Sequence, residues 1–460
     1  MRTTIGLALA LSLTGCAWFG QAVRAADRPP GMIGAKEQQV PRELALGVVA
    51  LPGGLDDVPV FNSNSPEIVT EPGITLSTLA GGDPAYQDVA FAGRFSLFSH
   101  HIAKDAQPGD RLLRLGLVAH NPGSAPVTLQ LTQGASWLSQ PDALFKPLDA
   151  ILPDDAGEIY AGPGDRVATD LMHGRSPMGT GRWTIPAGGT ALVYDLPIPT
   201  SVAIPPPING RTTYARFTCS GPLRLSEAAL FAPKAADGTF LPVALADFQR
   251  VIAEKKLAGP RDLPGSPCDP NVPVPPNFKY GRVAGVAAGD GWRAPLDALV
   301  AGLARGAGVG LPIATVFLNK LGTTQVQSAP MKTRYADTAY QAHGNYGVTY
   351  VLTAELANPD ATARTYALTL SHPSRVAPGK VTYLEPPNKL VSYRGPIRVA
   401  TSGGGAPEAV SFTHVVCRSG ELLPPFTRIS VPAGARRTLS IQLAYPADAT
   451  PPQLLTIARE

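Results

Sequence analysis

The sequence predicts a mainly β fold: two tandem antiparallel β-sandwich-like domains joined by a short helical, Pro-rich connector. Three observations carry this. First, 44% of the 460 residues are apolar, enough to fill a substantial core, while Gly and Pro number 47 and 48 and charged residues are only 16%. Frequent turn residues with few charges indicate many short strands. Second, apolar residues recur with period two over several stretches, the pattern of half-buried strands. Third, these stretches occur twice, in the same order.

The repeat has two blocks. "LLRLGLVAHNPGSAPVTLQLTQ" (112–133) matches "YVLTAELANPDATARTYALTLSH" (350–372). Each is an alternating strand, an Asn-Pro, a polar turn and a second alternating strand. Leu113, Leu115, Leu117 and Ala119 share one face, as do Tyr350, Leu352, Ala354 and Leu356. After the turns, Val127, Leu129 and Leu131 answer to Tyr366, Leu368 and Leu370. Proline donates no ladder hydrogen bond and keeps its predecessor extended, so Asn-Pro closes a strand. The second block pairs "WTIPAGGTALVYDLPIP" from Trp183 with "ISVPAGARRTLSIQLAYP" from Ile429. Pro-Ala-Gly makes both turns, and Leu192, Tyr194 and Leu196 correspond to Leu439, Ile441 and Leu443. Two blocks agreeing in order point to a duplicated antiparallel module.

The chain divides accordingly. Residues 1–25 form an export signal, 26–84 a turn-rich arm with short strands, 85–232 the first sandwich, 233–310 the connector and 311–460 the second sandwich. In the connector, "PVALADFQRVIAEKKLAG" is the clearest helix. Val251, Ile252 and Leu257 supply its apolar stripe, and Gly259-Pro260 ends it. "LPGSPCDPNVPVPPNF" is a stiff linker, and "PLDALVAGLARGAG" offers a second short helix.

The leader "MRTTIGLALALSLTGCAWFGQAVRAADRPP" has one Arg, an apolar run and small residues, the plan of an export signal. Two cleavage patterns compete. "LTGC" (residues 13–16) is a lipobox that would leave a lipidated Cys16 at the new N-terminus. "VRA", ending at Ala25, fits an ordinary secretory cut before Ala26. The expected location is the outer membrane or periplasm as a lipoprotein, or the medium after cleavage at Ala25. No later segment reaches the roughly 18 apolar residues of a membrane span, so membrane contact is expected only through the lipid.

Lys plus Arg number 39 against 35 Asp plus Glu. So small an excess argues against nucleic acid as a partner. Of the four cysteines, Cys16 belongs to the leader. Cys219 and Cys268 are the favoured disulfide in an oxidising compartment, leaving Cys417 as a buried thiol.

Most of the chain carries a resemblance. "MKTRYADTAYQAHGNYGVTYVLT", with "YGRVAGVAAGDGW" (280–292), "QSAP" (327–330), "AGPGDRVATD" (161–170) and "FSHHIA" (98–103), resembles a secreted cyanobacterial family catalogued as Domain of Unknown Function 3370. The resemblance implies an exported, largely β protein and brings no activity. The lipobox departs from the ordinary secretory signal such relatives would carry.

Motifs for chemistry are sparse. The sequence has no G-x-S-x-G elbow, no H-E-x-x-H pair, no G-x-x-x-x-G-K-[ST] loop and no EF-hand pattern. No cofactor is expected. Among the seven histidines, His100 and His101 are adjacent and would point to opposite faces of a strand. Asp154, Asp155, Glu158 and Asp165 sit on a Gly/Pro-rich stretch. It reads first as a solvated turn, with a Ca²⁺ loop as the weaker alternative. Asp56 and Asp57 receive the same reading.

The densest polar run is "RYADTAYQAHGNYGVTY" (334–350). Arg334, Asp337, Tyr340, His343, Asn345 and Tyr346 are the candidate binding residues. The preferred reading is a structural clamp at the entrance of the second sandwich, with Arg334 and Asp337 paired and Gly344 and Gly347 forming a tight turn around Asn345. Tyr335, Tyr340 and Tyr346 keep a sugar-stacking platform open. The functional expectation is an exported non-enzymatic envelope or exoproteome protein with a structural or interaction role, its partners envelope polysaccharide or another envelope protein. A polysaccharide-binding module is the alternative, and a hydrolase using His100, His101 or His343 with carboxylates is remote.

Overall fold

A computed structural model describes residues 38–200, 207–269, 271–342 and 344–460. The leader with Cys16, and His343, lie outside the described residues. The fold is mainly β, with several sheets and few helices.

In the first half, Ile208–Phe231 is the central strand. Its N-terminal part pairs with Phe91–Lys104 on one side and Val127–Leu138 on the other. After a register shift between Cys219 and Leu223, its C-terminal part pairs with Leu112–His120 and Gly73–Ser77. One long strand therefore serves two layers. Phe95, Leu129 and Phe217 from one layer meet Leu117, Leu225 and Leu76 from the other in a single buried cluster. The Phe95 and Phe217 rings stack at 5.2 Å. In the second half, a sheet built on Thr349–Ala357, Arg436–Ala444 and Val391–Gly403 faces one built on Arg364–Ser371 and Gln453–Arg459. Leu352, Leu356, Ile441 and Leu443 pack there with Leu368, Leu370, Leu455 and Ile457, and all eight are buried.

The duplication is visible in both pairing and hydrogen bonds. Leu112–His120 pairs with Thr190–Pro199, and Val127–Leu138 with Arg182–Ile185. Correspondingly, Thr349–Ala357 pairs with Arg436–Ala444, and Arg364–Ser371 with Thr427–Val431. At each Asn-Pro, the asparagine amide locks the same three carbonyls. Asn121 Nδ2 donates to Ala125 O, Ile185 O and Pro186 O at 2.8, 3.0 and 3.0 Å. Asn358 Nδ2 donates to Thr362 O, Val431 O and Pro432 O at 2.8, 2.8 and 2.9 Å. Each Oδ1 accepts a backbone N–H two residues on, from Gly123 and Asp360. The Asn-Pro block and the Pro-Ala-Gly block are thus two ends of one clamp. The match is imperfect at one point. A bulge between Leu192 and Tyr194 takes Leu192 off the face it was expected to share with Tyr194, and it packs instead beside the helix Leu245–Ala253.

The sheets cut across the boundaries drawn from sequence. The arm contributes Pro59–Ser63 beside Phe91–Lys104 and Val40–Ala45 beside Lys380–Glu385. The connector supplies Ala284–Ala288 to the first half and Gly291–Pro295 to the second. Ile151–Pro153 pairs with Ala406–Arg418 of the second half, and Met331–Arg334 pairs with Ala284–Ala288. Short Gly/Ala-rich strands such as "AGVAA" carry no period-two signal, because small residues fill both faces.

Among the described residues three helices interrupt the sheets, α1 Pro163–Met172, α2 Leu245–Ala253 and α3 Asp297–Ala301. α2 and α3 lie in the two segments expected to be helical. α2 stops at Ala253, short of Gly259, because Lys255 turns left-handed at φ 55° and the chain then bridges back to Ile74 and Glu71. The acidic stretch expected as a solvated turn is one through Asp155 and Glu158, which are exposed, but its end at Asp165 lies inside α1 and is buried. Nearly the whole helix is buried, and Val167, Ala168 and Leu171 join a core that contains Phe98 and Tyr214 from the first half and Tyr350 and Tyr445 from the second. Pro163 occupies its first turn, where a missing N–H costs nothing. Its N-terminus is capped from far along the chain: Gly164 N and Asp165 N donate to Asp448 Oδ2 at 2.8 and 3.0 Å. A Cβ on Gly162 would lie 2.4 Å from that same oxygen, so only glycine admits the cap.

Two predictions follow from these contacts. Asn121→Ala and Asn358→Ala each strand three backbone carbonyls, so each should lower stability by about 2–4 kcal/mol in urea denaturation; a loss under about 1 kcal/mol at both sites would refute the clamp. Burial pushes the Asp448 carboxyl up to about 6 from 3.8, with Arg394 opposing. The folded state then keeps a proton that the unfolded chain releases, so this group's contribution to stability falls as pH rises from about 4 to about 6. Asp448→Asn keeps an acceptor for the helix but has no such proton. Its stability relative to the wild type should improve across that window, and a gap that stays constant with pH would contradict the assignment.

Candidate functional site

The run 334–350 does not gather into one site. Arg334 Nη1 donates to the carbonyls of Tyr335, Ala336 and Thr338 at 2.9, 3.1 and 2.8 Å and lies 3.7 Å over the Tyr340 ring. It pins its own loop. Asp337 does not pair with Arg334 as expected. Arg261 takes it in a two-pronged bond of 2.7 and 3.0 Å, and that bond holds the carboxyl below its ordinary value against partial desolvation. A planar guanidinium with two parallel donors outcompetes one already committed to carbonyls.

Asn345 is buried. Its Nδ2 donates to Gln327 O and to the Tyr350 hydroxyl at 2.8 and 2.7 Å, and Tyr350 in turn donates to Gln327 Oε1 at 3.0 Å. Tyr346 is also buried, between Phe98 and Tyr445 at 5.8 and 6.2 Å. Gly347 has φ 81°, and a Cβ there would meet the Tyr214 ring at 2.2 Å, as a tight turn requires. Gly344 is needed for space instead, since a Cβ would lie 2.8 Å from the Tyr346 ring. Tyr335 and Trp292 are 3% and 5% exposed, against 40% for Tyr340. These rings form no open stacking platform.

Sequence reasoning missed the most chemically suggestive cluster, which assembles from the arm and two strands. Ser63 Oγ lies 3.0 Å from His101 Nε2, and Glu227 Oε2 lies 3.4 Å from the same nitrogen. His101 Nδ1 sits 2.8 Å from Pro66 O. A carbonyl only accepts, so Nδ1 carries a proton, and Nε2 faces both the Ser63 hydroxyl and the Glu227 carboxylate. Glu227 also accepts from Tyr194 and Thr75 at 2.8 and 2.9 Å. Burial alone would raise its carboxyl, but the bonds from His101, Ser63 and Tyr194 outweigh it and leave the group below its ordinary value. Tyr194 moves well upward, from burial and then from the Glu227 charge. In a hydrolytic triad the carboxylate and the nucleophile take opposite ring nitrogens. Here both share Nε2, a backbone carbonyl takes Nδ1, and Ser63, His101 and Glu227 are all fully buried. No residue-spacing signal links 63, 101 and 227, because His101 pairs opposite Arg211 and Glu227 opposite Leu117, and only packing between the layers brings them together.

Around this cluster runs a belt of partly exposed charges. Arg282 bonds Glu67 and reaches Asp262 at 3.6 Å. Asp262 accepts from Ser65 at 2.8 Å. His100, on the opposite face from His101, bonds Thr212 at 2.9 Å and approaches Glu67 at 3.9 Å. Burial lifts the Glu67 carboxyl to about 7, with Arg282 pulling the other way. The belt ties the arm (Ser65, Glu67) to the connector (Arg261, Asp262, Arg282) and to Asp337.

Of the remaining acidic candidates, Asp154 and Asp165 are buried, Asp56 is half-buried, and Asp57, Asp155 and Glu158 are exposed. Asp154 accepts from Glu158 N at 2.8 Å and folds its own turn. Asp165, fully buried, receives Nε2 of His414 at 3.0 and 2.8 Å from its two oxygens. Among the described residues no group of three or more His, Cys, Asp or Glu side chains could hold a metal ion. The expected Cys219–Cys268 disulfide is not formed. Cys219, Cys268 and Cys417 are free thiols. Cys219 is held in the central strand of the first half, its Sγ donating to Phe91 O and Gly93 O, whereas Cys268 lies in the Pro-rich segment with Ser266 O as its partner.

These features define a β protein with a duplicated module and internally wired acid–base groups. The chain belongs to the DUF3370 family, described as proteins of unknown function, whose profile matches residues 47–459. No curated protein matches it. Among solved structures, the Macrobrachium rosenbergii nodavirus structure is 9% identical, with 100% of this chain and 97% of that chain covered at a TM-score of 0.13. Procruciferin, an 11S globulin from Brassica napus, is 10% identical over 84% and 86% of the two chains at a TM-score of 0.10.

The thiols give a direct test. Burial pushes the Cys417 thiol far upward and raises Cys219 and Cys268 as well, but only Cys268 has appreciable exposure. Maleimide labelling of the native protein, read by mass spectrometry, should modify Cys268 slowly and spare Cys219 and Cys417. All three should react in denaturant without added reductant. A reductant requirement for labelling Cys219 and Cys268 would restore the disulfide.

Proposed function

We propose that this chain is an exported, non-enzymatic protein of the cell envelope or exoproteome, with its tandem β-modules serving as an interaction surface toward envelope polysaccharide or another envelope protein. The observation that carries this reading is the inward direction of its acid–base groups. His101, Glu227, Asp165 and His414 are 0% exposed, and each is bonded to protein. A general acid or base must come within hydrogen-bond reach of a substrate proton, and these groups have no such access. Their arrangement favours stitching distant segments over turnover. The leader supports export.

Two measurements test the proposal. Intact-mass analysis of protein from membrane and medium fractions should find a chain starting at a lipidated Cys16 or at Ala26; a full-length chain confined to the cytosol would overturn export. The purified mature chain should turn over no ester or glycoside substrate in a broad panel. Turnover abolished by His101→Gln, with melting temperature retained, would instead establish a hydrolase.

A further inference from the structure

A groove of about 410 Å³ opens beside α2. Its volume is in the range of small-molecule sites. Its floor is three neighbouring strands. Register places Thr190 opposite His120, and His120 opposite Arg224, so hydroxyl, imidazole and guanidinium form one row across the sheet. Two residues along, Val118 lies opposite Ser226, on the same face. Ile252 and Gln249 of α2 make one wall, and Leu79 and Tyr86 the other.

The chemistry of this groove is that of an apolar slot with a basic rim. Tyr86 spends its hydroxyl on Ile252 O at 3.0 Å, and Gln249 spends its amide on Thr190 at 2.7 Å, so neither offers these donors to a ligand. His120 lines the groove with its imidazole. Arg224 uses one nitrogen, Nη1, for Thr78 O at 2.9 Å and for Asp88 at 2.7 Å. The side chain of Asp88 is 64% exposed. An exposed carboxylate thus occupies the place on Arg224 that a ligand carboxylate would take.

We propose that this groove binds a small carboxylic amphiphile, with the carboxylate on Arg224 and His120 and the apolar tail along Val118, Leu79 and Ile252. Asp88 is an internal competitor that the ligand displaces from Arg224. The proposal goes beyond the envelope role and stands whether or not the chain is retained at the envelope.

The test is isothermal titration of the mature chain, residues 26–460, with sodium octanoate at neutral pH and low salt. Saturable binding with one site is expected. Hexanoate, two methylenes shorter, should bind about tenfold more weakly, and 1-octanol, which lacks the charge, should bind at least tenfold more weakly than octanoate. Arg224→Gln should lower octanoate affinity at least tenfold. Asp88→Asn changes an exposed side chain and removes the competitor, so it should raise affinity about tenfold. If Arg224→Gln fails to fold, as judged by its melting curve, Asp88→Asn decides alone. Absence of saturable octanoate binding, equal binding of 1-octanol, or affinity unchanged in Asp88→Asn would each overturn the proposal.

Discussion

A buried asparagine amide, used twice, closes each β-module of this chain. Asn121 and Asn358 end one strand, start a turn, and at the same time fasten the Pro-Ala-Gly turn some sixty to seventy residues later. One amide has two donors and one acceptor, and both copies use all of them on backbone groups that would otherwise be buried unpaired. Proline after each asparagine keeps the chain extended into the turn and leaves no competing N–H. The two sheets of each module are therefore registered by the same local chemistry, and the pairing of the outer strands follows from it.

Between the modules the constraint is of a different kind. α1 carries apolar side chains on several faces and is enclosed by strands of both halves. Enclosure leaves its polar ends without water, so its N-terminal amides need a distant acceptor, Asp448, and Asp165 needs His414. Each buried charge is tolerable because its partners are fixed in advance. The Ser63–His101–Glu227 cluster obeys the same rule inside the first half. Such networks contribute specificity of arrangement more than net stability, since removing one partner leaves the other buried and unpaired.

Much of the fold was legible in the sequence because its strongest signal is local. Period-two runs such as Leu113 to Ala119 and Tyr350 to Leu356 marked strands and their inward faces, and the amphipathic α2 was visible in Val251 and Ile252, though Leu257 of the expected stripe lies beyond its end. The parts that were misread share a physical cause. "LPDDAGEIYAGPGD" looks like a turn throughout because Gly and Pro dominate its end, yet its last three residues begin α1, whose burial on several sides no local pattern shows. Arg334 and Asp337 are three residues apart and looked paired, yet Arg261 reaches Asp337 with a better fork. The tyrosines of the same run left a stacking platform open beside the preferred clamp, but packing consumed all but Tyr340. Cys219 and Cys268 looked like a disulfide by adjacency in sequence, which carries no information about adjacency in space.

By itself the sequence determined the β character, the duplicated blocks, most of their inward faces, the two helical segments and the family, because alternation, turn residues and motif order act within a few residues of themselves. Tertiary structure alone decided which acid met which base, that the arm and connector are sheet strands, that α1 is enclosed, and that Thr190, His120 and Arg224 stand in one row above an apolar groove. Those facts depend on strand register and on contacts between segments hundreds of residues apart, where the energy of a contact is set by burial and geometry that no local pattern encodes.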